Sequence, residues 1–261
     1  MFMTFTIGTS PMADDFSKFK NLDFEGFKKL AEEPTLSIHE KIGFPNNYRR
    51  GKDVSILADI QEKLPKVAQK GTSLLDIGIG CGSLGLKLIE HCENVDIHLT
   101  AIDSNEVLKQ LPNSKSMTKV AGQFPKNLDF INSNQNRFDS ILCYSVFHYI
   151  FAKGQVFQFV DAALSMLGSG GSLLIGDIPN ISKRKRFFSS PAGIKYHQEF
   201  TKTSSLPLVQ FNNLESNEID DSVLLAIVSR ARQSGFDAYI LKQNDSLPMV
   251  NRREDLLITK L

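Results

Sequence analysis

Thr72-Ser73-Leu74-Leu75-Asp76-Ile77-Gly78-Ile79-Gly80-Cys81-Gly82-Ser83-Leu84-Gly85 is the stretch whose reading decides the fold. Leu74 to Ile77 is a short apolar run of strand-compatible residues. It breaks into glycines at 78, 80 and 82, and a helical pattern follows. That order reads as a strand, a tight turn and a helix N-terminus. Glycine is called for where backbone passes close to a ligand and takes dihedrals that a Cβ disfavours. Asp76 precedes the turn, where a carboxylate would reach the crevice at the carboxyl end of a sheet. A glycine turn that merely packs a helix on a strand is the plainer alternative, and the rest of the chain has to decide.

Two cofactor registers fit the glycines. Gly80-Cys81-Gly82-Ser83-Leu84-Gly85 satisfies the dinucleotide pattern G-x-G-x-x-G, with the acid Asp103 following 18 residues later. The longer pattern, apolar residues and then Asp76-x-Gly78-x-Gly80-x-Gly82, resembles motif I of the class I S-adenosylmethionine (SAM)-dependent methyltransferases. That resemblance implies that Asp76, Gly78, Gly80 and Gly82 surround the amino-acid end of SAM. It also implies that Asp103, closing the second strand Ile97–Asp103 and followed by Ser104, holds the ribose hydroxyls.

Further segments extend the resemblance. Arg137-Phe138-Asp139-Ser140-Ile141-Leu142-Cys143-Tyr144-Ser145-Val146-Phe147-His148-Tyr149-Ile150 is similar to the family's motif IV, a strand whose end faces the methyl group. A buried strand explains Ile141 and Leu142 but not the interruption by Cys143, Tyr144 and Ser145, which are taken as cofactor-side residues. Gly122, Gln123 and Phe124 end the expected third strand. The family often carries an acid there against adenine, and this chain does not. Gln123 could bond the base and Phe124 stack on it. Gly168 to Gly171 reads as a helix C-cap and turn before a fifth strand, Ser172 to Pro179.

The implied fold is α/β, a doubly wound seven-stranded sheet in the order 3-2-1-4-5-7-6 with the last strand antiparallel. Residues 1–51 form an N-terminal helical appendage, in which Phe16, Phe19, Phe24 and Phe27 suit one apolar helix face. Residues 52–261 form the SAM-binding domain, with a lid insertion at about 180–213. Lys52 to Gln69 has helical spacing, broken at Pro65. Asn217 to Ala231 is a second amphipathic helix. Phe236 to Lys242 and Asp255 to Lys260 form a closing hairpin, which a dehydrogenase fold does not require.

The 261 residues, 41% hydrophobic and 23% charged, suffice for one α/β domain. Thirty basic and 29 acidic residues give a formal charge of +1, which disfavours nucleic acid as a partner. No apolar run approaches a membrane span of about 20 residues. Met1 to Ser10 lacks the features of a signal peptide. Three cysteines, odd in number and scattered, fit a reducing cytoplasm and no zinc pattern. A metal site is not expected.

The expected activity is methyl transfer from SAM to a small-molecule acceptor. His148 is the candidate general base, since a hydroxyl acceptor must lose its proton as the bond forms. His39, Asp177, Lys185 and His197 lie on segments that could roof the acceptor pocket. The mixed loop 37–50 and Arg252 to Ile258 resemble bacterial methyltransferases of surface-polysaccharide assembly. With the basic run Lys183 to Arg186 they suggest a sugar, nucleotide-sugar or phosphorylated precursor, methylated on oxygen. Two other readings stay open: an NAD(P)-dependent oxidoreductase using the second glycine register, and a catalytically silent methyltransferase-like subunit. The oligomeric state is not legible.

Overall fold

The computed structural model describes residues 19, 22–45, 51–213, 215 and 217–261. The expectations placed on Phe16 and on 46–50 therefore lie outside the described residues.

Seven strands form one sheet: β1 (Ser73–Ile77), β2 (His98–Asp103), β3 (Met117–Ala121), β4 (Phe138–Tyr144), β5 (Leu167–Pro179), β6 (Asp237–Lys242) and β7 (Arg253–Thr259). Their order is β3-β2-β1-β4-β5-β7-β6, as the sequence implied. The first five pair in parallel, and β7 lies antiparallel between β5 and β6. β1 is central because both of its faces are covered: Leu74 to Ile77 are all buried. Leu74, Leu75 and Ile77 supply the apolar side chains that a parallel strand with helices on both sides requires, and Asp76 is the one charged residue among them.

The helices divide between the two faces. α1 (Phe24–Glu32) begins at an Asp23 cap whose Oδ1 accepts from Gly26 N. α2 (Asp53–Lys63) packs against α3 (Ser83–Val95), burying Ile56, Ile60, Leu88 and Ile89. The expected helix over 52–69 stops at Lys63. Pro65 brings no N–H and forces Leu64 out of helical dihedrals, to φ −119° and ψ 74°, before a 3-10 turn at Pro65–Ala68. α4 (Asn105–Leu108) and α5 (Leu128–Ser133) are short. α6 (Phe147–Ala152) and α7 (Val156–Met166) cover the other face, where Phe138, Phe147 and Phe159 are almost wholly buried. Each such side chain contributes roughly 1.5–3 kcal/mol.

Gly168 to Gly171 forms no separate turn. β5 begins at Leu167 and runs through the glycines, Gly170 at φ 67°, with a register shift opposite Phe138 and Ser140. A Cβ on Gly171 would lie 2.8 Å from the Gly168 carbonyl and 2.9 Å from that of Phe138. The glycines let the strand kink without leaving the sheet.

Residues 180–213 carry two helices, α8 (Ile181–Phe188) and α9 (Pro191–Thr201). Phe187, Phe188 and Tyr196 meet edge-on between them. α10 (Asp221–Gln233) is capped by Asp220 and seats Leu224, Ile227 and Ala231 in the core.

Candidate cofactor and acceptor site

The glycine turn leaves β1 at the carboxyl edge of the sheet with Gly78 at φ 79° and Gly80 at φ 64°, left-handed values that glycine takes without strain. Space is equally restrictive. A Cβ on Gly78 would lie 2.7 Å from Val146 Cγ2, and one on Gly82 would lie 2.5 Å from Ile42 Cδ1. A side chain at Gly82 would thus have to displace Ile42, on a 3-10 turn at Glu40–Ile42 that lies over the glycines. Gly85 serves helix–strand packing, since its Cβ would sit 3.0 Å from the carbonyls of Ile79 and Gly80.

A pocket opens along this edge, from Gln123 after β3, past Asp103, over Gly78 and Gly80, to Tyr144 at the end of β4 and Ser145 beyond it. Ile102 and Val107 make one apolar side, and Tyr149 and Ile150 another. Phe24, Phe27, Lys41, Ile42 and Phe44 of the N-terminal segment complete the wall. Phe27 meets Tyr149 edge-on, with centroids 4.9 Å apart, which joins α1 to α6.

Asp103 lies on the pocket wall. Its Oδ2 accepts from Gly80 N at 2.9 Å and its Oδ1 from Ser104 N at 2.7 Å. Burial pushes its carboxyl up to about 6, against the lowering effect of those two N–H donors. Asp76 is pushed further, to about 8, first by burial and then by the charge of Asp103. Within β1 it is 4% exposed and does not line the pocket.

The other candidate residues separate clearly. Gly78, Gly80, Gly82, Gly122, Gln123, Phe124, Tyr144 and Ser145 line the pocket with Asp103. Phe124 is largely turned into the core, edge-on to Phe159 at 5.4 Å. Ser104 instead caps α4, accepting from Val107 N at 3.2 Å. Cys143 is wholly buried in the core, and burial drives its thiol well above the ordinary range. His148 stands on α6 with its ring 3.9 Å from that of Tyr149, and it does not line the pocket. No described residue of 180–213 does either. The N-terminal wall had a partial signal, the unperiodic mixture of residues 37–44, but nothing in it singled out Ile42.

Beside Ser145 lies a buried polar network that sequence reading missed. Ser145 Oγ donates to Asp177 Oδ2 at 2.5 Å. Asp177 N donates to Asp255 Oδ1 at 2.8 Å, and Arg253 places Nε 3.7 Å from Asp177 Oδ1 and donates through Nη1 to the Asp177 carbonyl at 3.1 Å. Asp255 also accepts from Lys63 Nζ at 2.6 Å and from Gln243 Nε2 at 3.0 Å, and Lys63 reaches Asp59 at 2.5 Å. Ser145 and Asp177 sit at φ 60° and 59°, a left-handed conformation costing a non-glycine residue on the order of 1–3 kcal/mol. The signal was Arg253-Glu254-Asp255, charge placed at the head of an apolar strand.

The basic run is used within the fold. Lys183 Nζ donates to the Arg253 carbonyl at 2.7 Å, Lys185 pairs with Glu215 at 2.8 Å, and Arg186 pairs with Asp221. Arg184 lies over the Phe188 ring at 5.2 Å.

Residues 57–186 match the family described as "Methyltransferase small domain". That span runs from α2 through β5 into α8 and includes every element of the pocket except the N-terminal wall. No curated protein matches the chain by sequence. Among solved structures, the fold is similar to the plantazolicin methyltransferase BamL in complex with a triazolic desmethylPZN analog and SAH, with 13% identity, TM-score 0.56, and 94% of this chain and 96% of that one covered. It is also similar to phosphoethanolamine N-methyltransferase 1 of Haemonchus contortus, with 15% identity, TM-score 0.54, and 96% and 50% covered. A third likeness is to the N-methyltransferase NodS of Bradyrhizobium japonicum, with 12% identity, TM-score 0.50, and 91% and 97% covered. At these identities the likenesses establish the fold.

Sheet order, glycine turn and family match together define a class I methyltransferase fold. The protein is a SAM-dependent methyltransferase, with SAM as its cofactor. The pocket suits that group. Asp103 offers acceptor oxygens for ribose hydroxyls, Ile102 and Val107 offer apolar surface for a base, and Gly78 and Gly80 leave backbone open to close approach. Among the described residues no helix is long and apolar enough to cross a membrane, and no group of three or more His, Cys, Asp or Glu could hold a metal.

Proposed function

We propose that this methyltransferase acts on an oxygen of a small polar acceptor, of the sugar or nucleotide-sugar class. The observation that carries the reading is Ser145 at the pocket wall, backed by Asp177. A wall of this kind suits a hydroxyl-bearing substrate better than an apolar one. The phosphorylated variant of the reading gains nothing from Lys183 to Arg186, because those cations have partners within the fold.

When bound, SAM supplies a methyl group already activated by its sulfonium. The chain's own contribution is then chiefly alignment, which can account for most of the rate in an in-line displacement. Asp103 and the glycine backbone would hold the ribose and amino-acid parts. Ile42, Phe27 and Tyr149 would keep water from the pocket. The base role read for His148 gains no support from its position, and the proposal does not depend on it.

The test is a panel of nucleotide sugars, glycosides and small amines incubated with methyl-labelled SAM. Label on a sugar oxygen supports the proposal. Label confined to amine nitrogens would replace it with an N-methyltransferase reading, the activity named for two of the similar structures.

A further inference from the structure

α9 is seated on α8 by its first turn. A Cβ on Gly193 would lie 2.0 Å from the Phe187 carbonyl, and Gly193 is the only buried residue of the helix. Beyond it, Tyr196 meets Phe187 and Phe188 edge-on, and its ring lies parallel to that of Phe200, with centroids 6.3 Å apart. The chain then folds back along α9, where Gln198 Nε2 donates to the Ser204 carbonyl at 3.1 Å. It returns to α8, where Lys185 Nζ donates to the Asn213 carbonyl at 3.3 Å. Between those two ties the segment has neither helix nor strand.

This part of the surface is apolar. Five of the 13 exposed large apolar side chains among the described residues fall within 196–211: Tyr196, Phe200, Leu206, Leu208 and Phe211. Phe200 is 66% exposed, Leu206 70% and Leu208 84%. Single apolar residues scattered over a surface need no explanation, but a group on one short stretch marks an interaction surface. The same stretch is basic. Residues 180–213 hold six Lys and Arg against one acid, Glu199, in a chain whose formal charge is +1. Lys185 and Arg186 are paired with Glu215 and Asp221. Lys195 adjoins Tyr196 in sequence, with Glu199 3.9 Å away and both side chains largely exposed, and Lys202 is the C-cap of α9, two residues after Phe200.

We propose that residues 196–211 form a docking surface for an anionic membrane face. Phe200, Leu206, Leu208 and Phe211 enter the boundary between headgroups and acyl chains, and Lys195 and Lys202 meet the anionic headgroups. The sign of the charge selects this occupant. A second copy docked face to face would set two basic segments against each other. Leu206 and Leu208 also project far from the fold, and a fluid boundary takes such side chains without a shaped pocket to receive them. Lying on a membrane is distinct from crossing it, so the lack of a spanning helix among the described residues does not bear on this surface. The surface is separate from the cofactor pocket, whose lining includes no described residue of 180–213.

Vesicle co-sedimentation of the full chain tests this, with phosphatidylcholine alone and with phosphatidylcholine plus phosphatidylglycerol. The wild type should bind the anionic vesicles more tightly than the neutral ones, and added salt should weaken that binding. The double variant Phe200→Ser with Leu208→Ser should lose about tenfold or more in binding, the scale of withdrawing two large apolar side chains from the boundary. Lys195→Gln and Lys202→Gln should each lose roughly fivefold at low salt. Thermal unfolding and affinity for S-adenosylhomocysteine (SAH) should stay at the wild-type level in all of these, since the side chains are exposed and outside the cofactor pocket. The chain contains no tryptophan, so Leu208→Trp gives a single fluorescent reporter whose emission should shift to the blue on anionic vesicles. No binding to anionic vesicles, no shift of that emission, or binding that survives the double variant overturns the proposal. Self-association of the wild type, seen by sedimentation velocity and lost in the double variant, would overturn it in favour of a second copy.

Discussion

Asp103 Oδ2 accepts from the backbone N–H of Gly80 at 2.9 Å, so the acid that closes β2 is tied directly to the glycine turn that follows β1. The contact fixes both halves of the cofactor site relative to each other. Asp103 nonetheless has a value near 6, because burial raises it more than the Gly80 and Ser104 donors lower it. Ribose hydroxyls need an acceptor, which the ionised form supplies. SAH affinity is therefore expected to be flat above this value and to fall below it, approaching roughly tenfold per pH unit. Asp103→Asn should weaken binding and remove the acid limb. An acid limb that persists in the variant would assign the titration elsewhere.

Asp76 makes the free protein's stability depend on pH. Its folded-state value near 8 lies above the ordinary 3.8, so between the two the folded state binds more protons than the unfolded. Stability then falls as pH rises through that window. Asp103 acts in the same direction up to about 6. Asp76→Asn should flatten the dependence and stabilise the free protein at the upper end by roughly 1–3 kcal/mol. Thermal unfolding of both proteins at the two ends of the window checks this, and a wild type that gains stability towards the upper end would contradict it.

Gly82 and Ile42 should behave as a coupled pair. Gly82 has an ordinary φ of −85°, so Gly82→Ala fails by collision with Ile42 and not by backbone strain. The alanine variant should lose about 1–3 kcal/mol, the range for overpacking. Combining it with Ile42→Ala should recover most of that loss. Gly78→Ala has no such remedy, since φ is 79° there and Val146 stands 2.7 Å from the new carbon. A double-mutant cycle in denaturant reads the coupling, and additive losses would show that Ile42 is not the obstacle.

Neutralising Lys183 to Arg186 should affect stability more than acceptor use. Arg186 and Asp221 are both partly exposed, so Arg186→Gln should cost at most about 1 kcal/mol. Lys185 is more enclosed and should cost more. Once an acceptor is known, its KM should be unchanged in Arg186→Gln. A large rise would return the basic run to the acceptor site.

The strands were readable because the glycine turn, the Asp103 strand end and the segment from Phe138 to Ile150 each pair a period with a break, and the strand order came with the family that those motifs resemble. The apolar run Leu256 to Ile258 marked β7 as a strand, and its antiparallel direction was implied by the resemblance. Gly168 to Gly171 misled, because glycines that kink a strand and glycines that end a helix look alike until the opposing Phe138 carbonyl is known. Cys143 and Ser145 sit two positions apart across the end of β4. Which of them faces the core and which the pocket depends on where pairing stops, and composition does not carry that. The contact between Asp177 and Asp255 joins residues 78 positions apart and rests on the register of β5 with β7.

The central claim is that this pocket holds SAM. The most direct test is calorimetric titration of the wild type and Asp103→Ala with SAM, SAH and NAD(P)H. The account expects micromolar binding of SAM and SAH to the wild type, lost in the variant, and no binding of NAD(P)H. Binding of NAD(P)H alone would contradict it and return the Gly80-x-Gly82-x-x-Gly85 register to a dinucleotide.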